Sequence, residues 1–284
     1  MNSFDSKGTK RISFILATKN RARFLEKSLK SHRELIGPRD ELIIIDGKSS
    51  DNTAAVVAKN SDIVDIFVSE EDISEGNATN KGTLLARGKY VKLLTDDDFF
   101  YKDAIEKAYR VMEKNPQIDV LLCGGVKKRG EEIGYVFVPK GVEYGAGIAN
   151  IFKYGGCGLG LLIRRSAFSS IGLFNSRALS MDVDFLAQAI ATGAIVKFCR
   201  LKMYTHNIEA HSASVTNLSK LNRDFDRIKR EHELGKDLFW VDLKNKINGV
   251  FYTIVPKNLI LFLLKLLGRK MKESIEPVWD GGFS

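Results

Sequence analysis

Four short apolar runs, each ending in polar residues and followed by a helical pattern, constrain this chain more than any other feature. Ile12 to Ala17, Glu41 to Ile45, Ile63 to Val68 and Tyr90 to Leu94 have the length and residue types of buried strands. Between them, Asn20 can cap a helix carrying Phe24, Leu25 and Leu29 on one face. Ser49-Ser50-Asp51 can cap a second through Thr53 to Ala58, and a third covers Ala78 to Ala86 before the stop at Gly88. Such alternation predicts an α/β fold with a largely parallel, doubly wound sheet. Ligands of these sheets bind beyond the carboxyl ends of the strands. The four ends here carry Thr18-Lys19-Asn20, Asp46-Gly47, Ser69 to Asp72, and Asp96-Asp97-Asp98.

The aspartate triplet stands at the mouth of the fourth run. Three like charges repel, and a cation or a hydrogen-bonding ligand relieves them; otherwise they form a solvated turn. Oxygen ligands without an adjacent His or Cys favour Mg²⁺ or Mn²⁺ over zinc. After the triplet, Asp103 can cap a helix with Ile105, Ala108, Tyr109 and Met112 on one side, stopped by Asn115-Pro116. The stretch from Gly124 to Gly160 is Gly-rich and less regular, with a strand expected at Tyr135 to Val138. Strand-like Leu161 to Ile163, a helical turn from Ser166, a helix from Asp182 and a strand at Ile195 to Phe198 follow.

The net charge of +9 suits an anionic partner, such as a nucleotide sugar, a lipid diphosphate or a membrane surface. No aromatic-studded basic stripe or nucleic-acid motif is present, so nucleic acid is not expected. Cys123, Cys157 and Cys199 are scattered and odd in number, which argues against a disulfide framework or a CxxC metal site and for a reducing cytoplasm. The polar Met1 to Lys10 segment lacks the apolar region of a secretion signal. From Lys220 the chain becomes basic and helical, with Leu221, Phe225 and Ile228 on one face. Phe251 to Leu267 is apolar but holds Pro256, Lys257 and Lys265, and Leu259 to Leu267 is flanked by Arg269, Lys270 and Lys272. That pattern suits either a peripheral membrane anchor or a helix packed on the domain or in a dimer.

Several segments, in order, resemble the inverting GT-A glycosyltransferases of family two, which build bacterial surface polysaccharides. They are Ile15 to Asn20; Asp46-Gly47-Lys48-Ser49-Ser50-Asp51-Asn52-Thr53; Ser69 to Gly82; Thr95-Asp96-Asp97-Asp98; and Ser180-Met181-Asp182-Val183-Asp184. The resemblance covers about residues 11 to 215 and implies a GT-A domain over residues 1–215, with a nucleotide-binding half at about 11–100 and an acceptor half at about 101–215, followed by a basic helical region over residues 216–284. It further implies a UDP-sugar donor, a Mn²⁺ or Mg²⁺ ion, and transfer of a hexose or N-acetylhexosamine to a saccharide, plausibly polyprenyl-diphosphate-linked, at the cytoplasmic membrane face in polysaccharide or O-antigen synthesis.

By the same resemblance, Asp46 meets uracil, with Thr18 as a neighbour and Asp72 against the nucleoside. Asn20, Asn80 and Lys81 belong to the donor site, and Asp96 lies near the ribose or the metal's water shell. Asp97 binds the metal, with Asp98 as a second ligand or a positioning group. Asp182 is the base for the acceptor hydroxyl, at a helix N-terminus where negative charge is favoured. Without the resemblance, Asp46 reads as a turn residue before Gly47, Asp72 as one acid in a charged run, and Asp182 as a helix cap. His206 and His211 fall in a polar loop, either solvated or brought onto the diphosphate or metal. Lys19, Arg21 and Lys81 either assist the diphosphate or are surface charge. The chain departs from the family pattern at Thr95 (usually Asp), Lys48 and Ser74 (usually Gly), Met181 (often Glu) and Gln188 (often Arg). The processive-synthase Q-x-x-R-W motif is absent. Two other classes remain: a nucleotidyltransferase, which expects a Gly-rich phosphate loop that Ala17 to Arg21 lacks, and a non-catalytic nucleotide-sugar-binding module.

Overall fold

Every apolar run of the first half yields a strand, the third only from Ile66 onward, and the first, second and fourth are buried on both faces. The structure, a computed structural model, describes residues 10–136, 148–154, 157–208 and 216–233. Its first half runs β1 (Ile12–Thr18), α1 (Ala22–Leu35), β2 (Glu41–Asp46), α2 (Thr53–Lys59), β3 (Ile66–Ser69), α3 (Glu75–Leu85) and β4 (Tyr90–Leu94). Side chains alternate across the sheet: Ile12, Phe14 and Leu16 pack with Leu25 and Leu29 of α1. Ile15, Ile43 and Ile45 pack with Ala78 of α3 on the other face. Burial on both faces is what removes the polar alternation from these strands. Gly82 lets α3 lie close, since a β-carbon there would stand 2.5 Å from Ile15.

The second half runs β5 (Phe99–Phe100), α4 (Lys102–Lys114), β6 (Val120–Arg129), β7 (Glu132–Val136), α5 (Ala149–Tyr154), β8 (Leu161–Arg164), α6 (Phe168–Ile171), α7 (Met181–Ala191), β9 (Val196–Asn207) and α8 (Leu218–Glu231). Strand order is β3-β2-β1-β4-β8-β6-β9-β5, with β7 paired to β6. The expected parallel sheet holds for β3-β2-β1-β4, but β8 is antiparallel to both β4 and β6, so the whole sheet is mixed. The chain turns back on itself here: β6 and β7 form a hairpin through Gly130 at φ +59°, and β8 returns along β4.

Several local expectations need correction. Asn20 does not cap α1, whose flanking residue is Arg21 and which has no side-chain cap. α3 starts at Glu75, three residues before the expected Ala78, because Ser74 accepts a hydrogen bond from the Asn77 amide. Asp103 lies inside the first turn of α4 rather than capping it. β6 was hidden by Gly124 and Gly125, and the reason for Gly125 is steric: a β-carbon there would meet the Tyr204 ring at 2.4 Å. β9 extends to Asn207, well beyond Phe198. The helical pattern after Lys220 is α8, which packs on the domain through buried Ile228 and through Phe225 against Phe152. The Phe251 to Leu267 segment and His211 lie outside the described residues. Among the described residues no helix is long and apolar enough to cross a membrane.

One buried group ties stability to pH. His32 of α1 is buried beside Phe100, and both ring nitrogens lack hydrogen-bond partners. Burial, with the nearby Lys92 charge, lowers its pKa to about 4. An ordinary histidine of the unfolded chain takes a proton near 6.5, so the fold loses stability as pH falls from about 6.5 towards 4, by at most roughly 3 kcal/mol. Melting curves of the wild type and His32→Phe between pH 7 and pH 4.5 should therefore diverge, with the variant falling less; parallel curves would refute the assignment.

Candidate functional site

The carboxyl end of β4 gathers groups from both halves of the chain. Asp96 is buried and receives Arg21 Nε at 2.8 and 2.9 Å and Thr18 Oγ1 at 3.2 Å. The same guanidinium reaches Asp97 through Nη2 at 2.8 Å, so one cation spans two of the three aspartates. Burial depresses the Arg21 pKa, but Asp96 and Asp97 more than offset this and hold it above its ordinary value. Asp96 itself is raised, mainly by burial and against the pull of Arg21. Asp98 accepts from Thr95 Oγ1 at 2.7 Å and from the Asn207 amide at 2.8 Å. Burial lifts it to about 7, with Asp97 and Asp96 adding to the effect. Thr95, which replaces the family's frequent aspartate, thus supplies a hydroxyl donor rather than a fourth charge.

β9 is the element that the sequence pattern underestimated, and it carries two residues to this site. Asn207 closes the aspartate turn, its side chain donating to the Asp97 carbonyl at 2.8 Å. His206 has a buried Nδ1 without a hydrogen-bond partner. Burial lowers the pKa of that imidazole, Lys127 lowers it further, and Asp97 and Asp182 oppose the shift. The signal for this placement lay in the β-type run Phe198 to Tyr204, broken up by Arg200 and Lys202.

Asp46, at the end of β2, is buried and accepts from Ser49 N at 3.0 Å, Ser49 Oγ, and Ser69 Oγ at 2.6 Å. A carboxylate has about four lone-pair sites, so three donors orient it and leave room for one more. Lys48 takes the left-handed conformation, φ +60°, which explains why glycine is common at that position. Ser74, by contrast, is extended, so glycine's freedom is not required there. Asp72 packs over Gly47, where a β-carbon would meet its carboxylate at 2.4 Å, and lies 3.8 Å from Lys19. Asn20 is left-handed at φ +52° and accepts from Ser50 N at 2.8 Å, so its side chain shapes the β2–α2 loop. Lys81 binds Glu70 and the Glu71 carbonyl. Asn80 serves the scaffold, where its amide exchanges hydrogen bonds with the Phe174 backbone at 2.8 and 2.9 Å and ties α3 to the segment before α7.

Asp182 enters on the first turn of α7. Its Oδ2 accepts from Gly158 N at 2.7 Å and its Oδ1 from Val183 N at 2.9 Å. The helix is held from below by α8, since Asp224 accepts from Leu179 N at 2.6 Å and Arg227 pairs with Asp184 at 2.5 Å. Gln188, where the family often has Arg, donates to the Ile171 carbonyl. Buried Lys92 bridges the two halves by donating to the Leu93 and Leu159 carbonyls, each at 2.7 Å. Its burial lowers the amine to about 7.

A residue that the sequence pattern did not single out is coupled electrostatically to both acidic groups. Glu75, on the first turn of α3, is open to solvent, yet the protein around it desolvates the carboxyl and raises it to about 7, with Asp182, Asp97 and Asp96 contributing next. The side chain thus reaches solvent while the protein surrounds it closely enough to disfavour its charge. Asp97 and Asp182 therefore act on the same groups, Glu75 and His206, from opposite halves of the chain. Among the described residues, no three acidic, histidine or cysteine side chains converge closely enough to hold a metal ion. The donor set nevertheless fits a divalent cation chemically: hard carboxylates, and an imidazole nitrogen with no other partner.

The family profile described as "Glycosyl transferase family 2" matches residues 13–171. The poly-β-1,6-N-acetyl-D-glucosamine synthase of Staphylococcus epidermidis is 27% identical over 190 residues, covering 61% of this chain and 44% of the synthase. An uncharacterized glycosyltransferase of Rickettsia felis is 25% identical over 183 residues, 61% of this chain and 30% of its own length. The chain thus spans less than half the length of these curated relatives. Among solved structures, S. aureus TarS 1–349 in complex with UDP-GlcNAc overlaps with a TM-score of 0.60 at 17% identity, over 73% of this chain and 61% of that one. The mannosyltransferase PcManGT of Pyrobaculum calidifontis, in complex with GDP-Man and Mn²⁺, gives 0.55 at 16% identity, over 94% and 82%. The architecture is the GT-A fold.

Arg21→Met should lower the melting temperature, because Asp96 loses its main counter-charge. Arg21 is partly exposed, so the cost is roughly 1–2 kcal/mol rather than that of a fully buried pair. Arg21→Lys should recover only part of it, since an ammonium cannot fork across two carboxylates. Unchanged melting of the Met variant would show that the fork carries no weight.

Proposed function

Because this chain belongs to glycosyl transferase family 2, we propose that it is an inverting, metal-dependent glycosyltransferase that moves a hexose or N-acetylhexosamine from a UDP-sugar to a saccharide hydroxyl. One observation carries this reading: Asp182 is held at 2.7 Å by the Gly158 amide, in the same turn whose Leu159 carbonyl binds Lys92 of β4, the strand that ends at the aspartates. A glycosyl transfer needs two such groups on opposite sides of one sugar. The relatives lend support. TarS was captured with UDP-GlcNAc, the staphylococcal relative is a synthase of an N-acetylglucosamine polymer, and PcManGT holds a nucleotide sugar with Mn²⁺.

In this reading Asp46 takes the uracil imide N–H on its remaining lone pair, while Asp72 and Thr18 line the nucleoside. Lys19, which lies beside Asp72, and Lys81, which pairs with Glu70, would turn to the diphosphate. Asp97 and Asp98, with Nδ1 of His206, would hold the divalent ion. When bound, that ion supplies Lewis-acid neutralisation of the diphosphate. Arg21 gives up one or both of its aspartates to the donor complex. Each oxygen of Asp182 keeps a lone pair beyond its backbone hydrogen bond, so the carboxylate is oriented and still able to take a proton. As the acceptor oxygen bonds to the anomeric carbon, its proton passes to Asp182. The bond from that carbon to the phosphate oxygen breaks, its electron pair leaves with UDP, and attack from the opposite face inverts the configuration.

We infer a polyprenyl-diphosphate-linked glycan as acceptor, at the cytoplasmic face of a membrane. The net charge of +9 and the basic flanks of Leu259 to Leu267 support that choice.

Asp182→Asn should reduce transfer by about 10³-fold while leaving UDP affinity within about twofold. A transfer assay beside calorimetric UDP titration tests this, and NMR of the product should show an inverted anomeric centre. Transfer unaffected by the substitution, or lost together with UDP binding, would remove Asp182 from the role of base.

A further inference from the structure

Glu75 is an acid of the site, among the described residues, to which the proposed reaction gives no role. It belongs to neither the aspartate turn nor α7, and its carboxyl has no hydrogen-bond or ion-pair partner among the described residues. Its position is nevertheless fixed. Ser74, just before it, accepts from the Asn77 amide at 3.1 Å and donates to the Ser176 carbonyl at 2.5 Å. Gly76, just after it, is so close to the segment leading into α7 that a β-carbon would meet the Asn175 carbonyl at 3.1 Å and Met181 Sδ at 3.4 Å. Asn80, farther along the same helix, is bound to Phe174. Ser74, Gly76 and Asn80 thus hold this turn against the segment that leads into α7 and Asp182, and the charges of both Asp182 and Asp97 act on Glu75.

What lies between those two aspartates follows from the reaction. Asp97 stands on the side of the leaving diphosphate and Asp182 on the side of the incoming hydroxyl. The group joined to both is the transferred pyranose. We propose that Glu75 is the residue that reads this sugar, hydrogen-bonding the ring hydroxyls of the donor's pyranose and so setting which UDP-hexose is accepted. The inference rests on the donor-site reading above and assigns the sugar contact within it. A free carboxyl held among like charges is costly until it gains hydrogen-bond donors, and vicinal hydroxyls supply them without a further cation.

The test compares UDP with UDP-sugars. Wild-type protein, Glu75→Leu and Glu75→Gln are titrated with UDP, UDP-glucose, UDP-galactose, UDP-GlcNAc and UDP-GalNAc in the presence of Mn²⁺. For the UDP-sugar that the wild type prefers, Glu75→Leu should weaken binding by about tenfold or more, with UDP affinity unchanged within about twofold. Glu75→Gln, which keeps hydrogen-bonding capacity, should recover most of the loss. The retained UDP affinity serves as the check on folding. Equal UDP-sugar affinities in the wild type and the Leu variant would overturn the assignment, as would a parallel loss of UDP affinity, which would place Glu75 on the diphosphate or its cation. Failure of the wild type to bind UDP or any UDP-sugar would overturn the donor reading itself, and this inference with it.

Discussion

Mutual repulsion among Asp96, Asp97 and Asp98 is the constraint around which the rest of this protein is arranged. Three carboxylates at the mouth of a buried strand cannot share so small a volume without compensation. Arg21 forks across two of them, Thr18 and Thr95 add hydroxyl donors, and Asn207 secures the turn from the far end of the sheet. Each compensating group comes from a different stretch of chain: the end of β1 and the loop into α1, the turn itself, and the end of β9. Satisfying the aspartates therefore draws the two halves of the sheet to a common edge, where a nucleotide diphosphate and its cation would replace some of the internal partners.

The proposed acceptor side is built with different physics. Asp182 is oriented by two backbone amides, and α7 beneath it is anchored by Asp224 and the Arg227–Asp184 pair of α8. α8 is therefore part of the domain's scaffold in the described residues, despite its basic composition. Lys92 links the sides through the Leu159 carbonyl, in the same turn whose Gly158 amide holds Asp182. The two acidic groups are thus connected by short, hydrogen-bonded paths, as the proposed reaction between them requires.

Legibility followed the physics of each element. β1, β2 and β4 were readable because burial on both faces gives uninterrupted apolar runs, and their ends placed Thr18, Asp46 and the aspartates on one edge. β6 was not, because Gly124 and Gly125 weaken any strand pattern, and Gly125 is there for its close contact with β9. The mixed sheet was not readable either, since strand direction after β4 depends on long-range pairing. Asn20 and Asn80 match a family pattern, yet both side chains here are engaged with backbone: Ser50 for one, Phe174 for the other. Glu75 gave no signal at all, since an isolated acid at a helix start is ordinary, and only the folded chain brings it under the influence of both Asp97 and Asp182.

For any of this chemistry to occur, the strand ends must hold a nucleotide diphosphate. A crystal soaked with UDP and Mn²⁺ measures this directly. It should show the uracil against Asp46 and the diphosphate with its cation beside Asp97, Arg21 having shifted from its fork. A cleft left empty at saturating UDP, or a nucleotide bound away from Asp46 and Asp97, would contradict it.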